Sequence, residues 1–288
     1  TNAVLGVDNV FVLLNCNKLL TDTLIILLTD ANIFSGILRA SVRAMSVFAH
    51  LSAGIIVTSI LRLTRGRYWY ATNFGRSVVL WWTKNINRII GIRIVKYGEI
   101  PVPHALYVAN HISFFDIIVI SAITPTTFIS KNAVRYWPLI GQLSSLAGVV
   151  FIKRGKRNLI ARIIDTAATA LDSGGSLTVF PEGTTHFSNE PGKFHAGLYQ
   201  AAINSQTPIQ AIALAYIRDG GHDRSAAYVE GDNILITLFH IMSRPHTNVH
   251  VFFCPVTNPS LGNRNQLAQH TRQQIIDARN NTSFVETH

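Results

Sequence analysis

The chain is apolar and basic, and both properties limit what it can be. It has 288 residues, of which 48% are hydrophobic, and a mean hydropathy of +0.26. This composition excludes a disordered polymer and favours contact with a membrane. The two cysteines, Cys16 and Cys254, lack metal-binding spacing, so neither a disulfide framework nor a metal site is predicted.

The net charge of +10 comes from one part of the chain. Ten Lys and Arg residues and no Asp or Glu lie between residues 31 and 98, whereas the two signs balance elsewhere. A pI near 9.9 is also typical of nucleic-acid-binding proteins, but no zinc-finger or RNA-binding signature is present. Because these basic residues stand among Leu, Ile, Val and Trp, the pattern indicates an anionic membrane surface as partner and not nucleic acid.

The amino-terminal part is predicted to be helical. Residues 1–37 have no clear pattern, but residues 38–63 predict a helix whose apolar stripe approaches the length of about 20 residues that a membrane span needs. Residues 76–92 predict a second helix, in which Trp81 and Trp82 suit the lipid head-group layer. Residues 38–98 are therefore expected to form basic, membrane-associating helices that enter one leaflet, with a single span as the alternative. In both cases the site is expected on the cytoplasmic face.

From residue 99 to residue 288 the pattern predicts an α/β domain. Short apolar runs near residues 106–109, 127–129, 149–152, 177–180, 209–215 and 249–253 predict strands, and helix-length segments near 113–123, 135–147, 157–173, 196–205 and 262–280 separate or follow them. Apolar runs without alternation belong to strands that are covered on both faces. The expected fold is thus a mixed, largely parallel sheet covered by helices, preceded by the membrane-associating segment.

A histidine and an aspartate follow the first strand of this domain. His111 and Asp116 have the spacing H-x4-D, at a place where a strand runs through a turn into a helix. Ser113 and Asp116 also match a helix capping box, so the aspartate could simply begin a helix. The two interpretations are compatible, because Asp116 in the first turn can face back toward His111 and orient the imidazole as a general base.

A second motif, Phe180-Pro181-Glu182-Gly183-Thr184-Thr185, ends another predicted strand. Its proline and glycine favour a turn in which backbone comes close to a ligand. An ordinary β-turn is an equally good interpretation of this segment alone. The two motifs together indicate acyl transfer.

Taken in this order, Asn110-His111-x4-Asp116 and Phe180 to Thr184 resemble the motifs of the glycerolipid acyltransferase family, which includes the lysophosphatidic acid acyltransferases. The resemblance runs from about residue 106 to residue 215. It implies transfer of a fatty acyl group from acyl carrier protein or coenzyme A to the hydroxyl of a lysolipid, with His111 as base, Asp116 as its partner and no bound cofactor. A Gly-x-Ser-x-Gly motif is absent, as expected where no acyl-enzyme forms.

The resemblance also implies a set of substrate contacts. Arg154 matches an arginine that contacts the polar head of the acceptor, with Lys153 and Arg157 as helpers, although charges at a helix start are usually only solvated. The loop amides after Glu182 are expected to hold the head group or the oxyanion. The full set of expected substrate-binding residues is Asn110, Lys131, Lys153, Arg154, Arg157, Glu182, Gly183, Thr184 and Thr185.

Several positions depart from the family pattern. Thr185 stands where the family usually has arginine, and His195 stands where it has lysine. The expected acceptor is 1-acyl-glycerol-3-phosphate, but the loss of two cations makes lyso-ornithine lipid an alternative, which the Thr-Thr variant of the motif also resembles. A membrane-bound relative without activity is the other alternative, a serine esterase is a poorer one, and the oligomeric state stays open.

Overall fold

The computed structural model describes residues 7–66, 68–152, 164, 168, 175–229 and 231–282, with side chains from residue 32 onward except at 67, 131, 152–163, 165–167, 169–174, 230 and 282. Seven strands form one path, and an eighth pairs beside it, in the order β1-β8-β6-β2-β5-β3-β4. The strands are β1 Ile92–Gly98, β2 Leu106–Ala109, β3 Thr127–Lys131, β4 Val150–Ile152, β5 Leu177–Val179, β6 Ile209–Arg218, β7 Gly221–His222 and β8 Thr247–Thr257. Only β8 with β6, and the short β7 with β6, pair antiparallel. The predicted fold class is confirmed.

The apolar strands form the centre because helices cover both of their faces. All four residues of β2 are buried, with Tyr107 and Ala109 in one hydrophobic cluster and Leu106 and Val108 in another. Burial on both faces is what an unalternated apolar run predicts. Because β2, β3, β5 and β6 are parallel, their carboxyl ends meet at one edge of the sheet.

The described helices are α1 Val7–Arg65, α2 Asn73–Ile90, α3 Asp116–Ser121, α4 Ile140–Leu146, α5 Tyr199–Asn204, α6 Ile234–Ser243 and α7 Arg264–Thr282. Most of them fall close to the predicted segments, but α1 begins about thirty residues earlier than predicted and α6 has no predicted counterpart. Helix α2 is capped at its start by Thr72, whose side chain accepts a hydrogen bond from Gly75 N. It is capped at its end by Gly91, whose φ of 91° suits a residue without a side chain. Of the helix predicted near residues 157–173, the structure describes only residues 164 and 168, which are helical.

Three elements were not predicted. Residues 92–98, placed among the amino-terminal helices, form the edge strand β1, because their alternation of apolar and basic residues fits one covered and one open face. Gly221 and His222 form the short, exposed strand β7, which pairs with the end of β6. Helix α6 was missed because it is short and largely apolar, with no Asp, Glu, Lys or Arg to mark an outer face.

The amino-terminal helices pack directly on the sheet domain. Arg43 of α1 donates to the carbonyls of Met242, Arg244 and Pro245 at 2.6–3.0 Å, and Arg39 donates to that of Ser243 at 2.5 Å, so two of the ten basic residues hold the end of α6. Eleven residues after Arg43, Gly54 leaves room for Trp82 of α2.

Helix α2 supports α3 in turn. Thr83 and Asn87 donate to the carbonyls of Ser121 and Ile118 at 2.9 and 2.8 Å. Trp82 stacks on His50 of α1 with ring centroids 4.7 Å apart, whereas Trp81 is exposed. Only one of the two tryptophans is therefore available to a head-group layer.

Within the described residues, one helix is long and apolar enough to cross a membrane. The segment Asn32–Arg65 has a mean hydropathy of 1.8 over its best window, and 11% of that window is buried. Length and composition alone support this statement, and the same segment contacts α2, α4 and α6.

Candidate active site

The histidine of the first motif lies at the carboxyl edge of the sheet, directly after β2. The turn that follows β2 brings Asp116, the first residue of α3, back toward His111. The His111 Nδ1 lies 2.8 Å from Asp116 Oδ2. With Nδ1 on the carboxylate, Nε2 is left for a proton from another group. The predicted facing of the two side chains is confirmed as geometry.

Asp116 is fully buried and accepts four hydrogen bonds. Its Oδ2 accepts hydrogen bonds from His111 Nδ1 and from the backbone N–H groups of Ile112, at 2.7 Å, and Ser113, at 3.0 Å. Its Oδ1 receives the hydroxyl of Tyr216 at 2.8 Å. The amide of Ser113 bonds to the side chain of Asp116, but Phe115 and not Ser113 is the N-cap of α3, so the predicted capping box does not form.

Tyr216 is a member of the site that the sequence motifs did not indicate. It lies on β6, one hundred residues after Asp116, where β6 continues beyond the end of β2. Burial, together with the charge of Asp116, raises the pKa of Tyr216 well above its usual value. The hydroxyl therefore stays protonated and donates a hydrogen bond to the carboxylate.

Asn110 fixes the position of the turn that carries His111. Its side chain is buried and joins β2 to β6, because Nδ2 donates to Leu214 O at 3.0 Å and Oδ1 accepts from Leu214 N at 2.7 Å. This geometry supports a positioning role. The substrate contact expected of Asn110 stays a prediction.

The second motif lies against the first. The ring of Phe180 stacks on the imidazole of His111 with centroids 3.9 Å apart. Glu182 is buried and accepts from His111 N at 2.9 Å and from Gly192 N at 2.7 Å. The carboxylate of Glu182 therefore ties the two motifs together. Burial raises the pKa of Glu182, and these two hydrogen bonds oppose the rise.

The turn after Glu182 lies beside the histidine. Gly183 has a φ of 72°, in the left-handed region that favours glycine, and its N–H donates to Phe180 O at 3.1 Å. The amide of His186 donates to the carbonyl of His111 at 2.7 Å. Gly183 is exposed, and Thr184 and Thr185 are half-buried, so all three are within the accessible part of the site.

Two arginines of α7 hold the loop between residues 182 and 193, and neither was predicted. Arg272 donates to the carbonyls of Pro191 and Gly192 at 2.8–3.2 Å. Arg279 donates to Ser188 O at 3.0 Å; burial lowers the pKa of Arg279, and the charge of Glu182 opposes that lowering. The two stand seven residues apart on one helix face, but nothing in that spacing shows what they contact.

The remaining expected contacts are not placed. Lys131 ends β3, but its side chain lies outside the described residues, as do Lys153, Arg154 and Arg157. In the part of the chain that the structure describes, no group of three or more His, Cys, Asp or Glu side chains is arranged to hold a metal ion.

Fold and site together define an α/β enzyme with a carboxylate-held histidine, and comparison with known proteins agrees. A family model described as Acyltransferase matches residues 92–215. The chain is 34% identical over 197 residues to the lyso-ornithine lipid O-acyltransferase of Pseudomonas aeruginosa, covering 68% of this chain and 75% of that protein. It is 31% identical over 153 residues to the 1-acyl-sn-glycerol-3-phosphate acyltransferase of Neisseria meningitidis, covering 53% of this chain and 60% of that protein.

The fold has a solved counterpart. The crystal structure of the 1-acyl-sn-glycerophosphate acyltransferase PlsC from Thermotoga maritima superposes with a TM-score of 0.66 at 15% identity, over 89% of this chain and 100% of that one. At this identity the likeness concerns the fold alone. This chain belongs to the acyltransferase family and is an acyltransferase.

Proposed function

We propose that this acyltransferase moves a fatty acyl group from a thioester to the free hydroxyl of a lysolipid at a membrane surface. The observation that carries the proposal is His111 held by buried Asp116 at the carboxyl edge of the sheet, with Nε2 left for the acceptor. The names of both groups of relatives, which act on lysolipids, support the choice of acceptor class.

In the proposed reaction, the acceptor hydroxyl attacks the thioester carbonyl while His111 Nε2 takes its proton. The new C–O bond forms as the carbonyl oxygen becomes an oxyanion. The imidazolium then gives the proton to the departing thiolate as the C–S bond breaks, which regenerates neutral His111. Asp116 stabilises the imidazolium through Nδ1, and a positioned base of this kind typically contributes about 10²–10⁴-fold.

The turn after Glu182 is proposed to support the reacting groups. Gly183, Thr184 and Thr185 lie between Glu182 and His186, which both bond to the backbone of His111, so their N–H groups and hydroxyls can face a head group or the oxyanion. Donors placed where charge develops typically contribute about 10²–10³-fold each. The Glu182 carboxylate holds this turn against His111 and is not itself proposed to react.

For the acceptor, we favour lyso-ornithine lipid, with 1-acyl-glycerol-3-phosphate as the second candidate. Thr185 and His195 replace two permanent or near-permanent cations with neutral or titratable groups, which weakens a site for a phosphate monoester. The relative with the greater identity and coverage is also named for lyso-ornithine lipid. Both acceptors present a hydroxyl, so the chemistry at His111 is the same for each.

A competition assay tests this choice. Purified protein with one labelled acyl donor, supplied as acyl carrier protein or coenzyme A thioester in separate arms, receives both acceptors side by side. We expect label mainly in ornithine lipid. Label mainly in phosphatidate contradicts the acceptor assignment, and label in neither contradicts the proposed function.

We also infer that the segment Asn32–Arg65 of α1 lies along the membrane surface. The sheet domain contacts α1 near Gly36, through Ser243, and near Gly54, through Leu143. These two points are separated by roughly 27 Å along the helix, close to the full thickness of the hydrocarbon layer of about 30 Å. If this segment spanned the bilayer, the domain packed on it would occupy the hydrocarbon too.

The face of α1 away from the domain supports this interfacial placement. It exposes Phe34, Met45, Phe48 and Leu63. Single cysteines carrying a fluorophore at Phe34, Met45 and Leu63, read with lipids quenched at different depths, test it. We expect a similar shallow depth at all three sites. A depth that passes from one surface through the centre to the other indicates a span instead.

A further inference from the structure

We propose that α6 is a second membrane-contacting element and that its outer face, made of Leu235, Ile236 and Phe239, enters the lipid beside α1. These side chains are 69%, 55% and 44% exposed. The proposal rests on the proposed attachment of α1 to the bilayer, and it adds a separate contact formed by a helix in the carboxyl-terminal half of the chain.

The composition of α6 is unusual for a surface helix. Its ten residues, Ile234–Ser243, include no Asp, Glu, Lys or Arg. Its inner face is buried at Thr237 and Ile241, and Ile241 belongs to the main hydrophobic cluster. A helix on a water-exposed surface normally carries polar residues on its outer side, whereas one that is apolar all round belongs in a core or in lipid. The outer face of α6 therefore has the chemistry of a covered surface.

The position of α6 indicates lipid as the cover. Arg39 and Arg43 of α1 bind the carbonyls at its carboxyl end, and Gly36 of α1 lies against Ser243. Leu235 is only roughly 12 Å from this junction along the axis of α6. The carboxyl end of α6 thus packs against α1, both helices carry exposed apolar side chains, and the arginines that join them belong to the strongly basic segment of residues 31–98. Apolar side chains flanked by arginines are typical of a helix at an anionic bilayer surface.

A cavity next to α6 lies near the loop that contacts His111. Its side chains Ile236, Thr237 and His240 line a cavity of about 740 Å³ at the end of β6, together with Arg218 and Arg224. Arg224 also stands 5.6 Å over the ring of Phe187, in the loop that contacts His111. If α6 enters the lipid, this cavity, which Ile236 of the outer face also lines, lies at the edge of the head-group layer.

A depth measurement tests the proposal. Leu235→Cys is labelled with a polarity-sensitive fluorophore in the full chain, after Cys16 and Cys254 are replaced by alanine and activity is checked. Leu261→Cys is the matched control: it is also exposed, but it follows the end of β8 that pairs with the start of β6, at the edge opposite His111. Phe48→Cys on α1 reports the attachment of α1 itself.

With vesicles of phosphatidylethanolamine and phosphatidylglycerol, we expect a blue shift and quenching by chain-labelled lipid at 235 and 48, and neither at 261. A response at 48 without one at 235 overturns the role of α6 but leaves the attachment of α1. A response at neither position overturns the proposed membrane attachment. A label at 235 that is already shielded without vesicles indicates contact with a second protein copy and also overturns the proposal.

Activity provides a second measurement. The double variant Leu235→Ser, Phe239→Ser loses two apolar side chains of the outer face and should lower the turnover of acceptor presented in vesicles by about tenfold or more. Turnover of acceptor presented in detergent micelles should stay unchanged, because neither residue contacts His111 or Asp116. Leu261→Ser should behave as the unsubstituted protein in both. Equal loss in vesicles and micelles contradicts the proposal.

Discussion

Each of the two sequence motifs contributes one buried carboxylate, and the two carboxylates do different work. Asp116 accepts a ring nitrogen, two backbone amides and a tyrosine hydroxyl, and so orients the imidazole that faces the acceptor. Glu182 accepts two backbone amides from separate loops and contacts no ring nitrogen in the structure. Asp116 therefore acts on the protonation of His111, whereas Glu182 fixes the position of the backbone.

This difference predicts that substitutions at the two acids have different effects, one mainly on the rate of acyl transfer and the other mainly on stability. Loss of the Asp116 carboxylate should lower the rate of acyl transfer far more than it lowers membrane binding or folding. A change at Glu182 should appear first in stability, because unpaired buried amides cost about 1–3 kcal/mol each. The predictions below run from the largest expected effect to the smallest.

His111→Ala should lower kcat by about 10³-fold or more, because it removes the proposed base and leaves only binding and oxyanion contacts. The measurement is single-turnover acyl transfer with labelled thioester. His270→Ala, at an exposed site on α7, is the matched control and should keep full activity. Activity that survives His111→Ala removes His111 as the base.

Asp116→Asn should lower kcat by about 10²–10⁴-fold with little change in KM, since a neutral amide cannot stabilise the imidazolium as the carboxylate does and its NH2 group cannot accept a hydrogen bond at one of the two oxygen positions. Asp277→Asn, at an exposed position of α7, serves as control. Steady-state kinetics and thermal unfolding should be measured on the same preparations. A loss explained wholly by unfolding would argue that Asp116 only begins α3.

Tyr216→Phe should lower kcat by about tenfold, because a hydrogen bond to a charged group contributes about 1.5–3 kcal/mol and three other donors remain on Asp116. Tyr199→Phe is the matched control, since its buried hydroxyl bonds to Thr271 in the other hydrophobic cluster. Both variants should lose stability. Only Tyr216→Phe should change kcat and its pH profile, and equal kinetics for the two would contradict a positioning role for Tyr216.

The smallest effect is expected from the titration of Glu182. Burial raises the pKa of this carboxyl above its ordinary value of 4.5, so the folded protein binds the proton more tightly than the unfolded chain does. Its contribution to the free energy of unfolding is therefore greatest below the ordinary value and declines as the pH rises through the raised one. Denaturant unfolding across this range should show a decline in the unsubstituted protein that Glu182→Gln lacks. The same dependence on pH in the unsubstituted protein and in Glu182→Gln would contradict a role for the titration of Glu182.

The sequence was most informative where residues that interact are close along the chain. His111 and Asp116 are five residues apart at a strand-to-helix turn, so their spacing alone indicated that they could face each other. The central strands were found because burial on both faces leaves an apolar run. Strand β1 was missed because an edge strand beside a helix end shows alternating basic residues that fit either structure.

Contacts between distant segments could not be predicted in the same way. Tyr216 reaches Asp116 only because β6 lies next to β2 and extends beyond it. Glu182 was recognised by its motif, but its two backbone partners depend on how two loops meet. The positions of Arg272 and Arg279 depend on the docking of α7, which has only weak amphipathic character.

The two arginines of α7 have a consequence for the order in which the protein becomes active. They bind the loop of residues 188–192, which lies about eighty to ninety residues earlier in the chain. During synthesis the strands that carry His111 and Glu182 emerge before these arginines exist. A nascent chain can therefore form the sheet while this loop still lacks its clamp, and translation must proceed to Arg279 before the loop has all of its contacts.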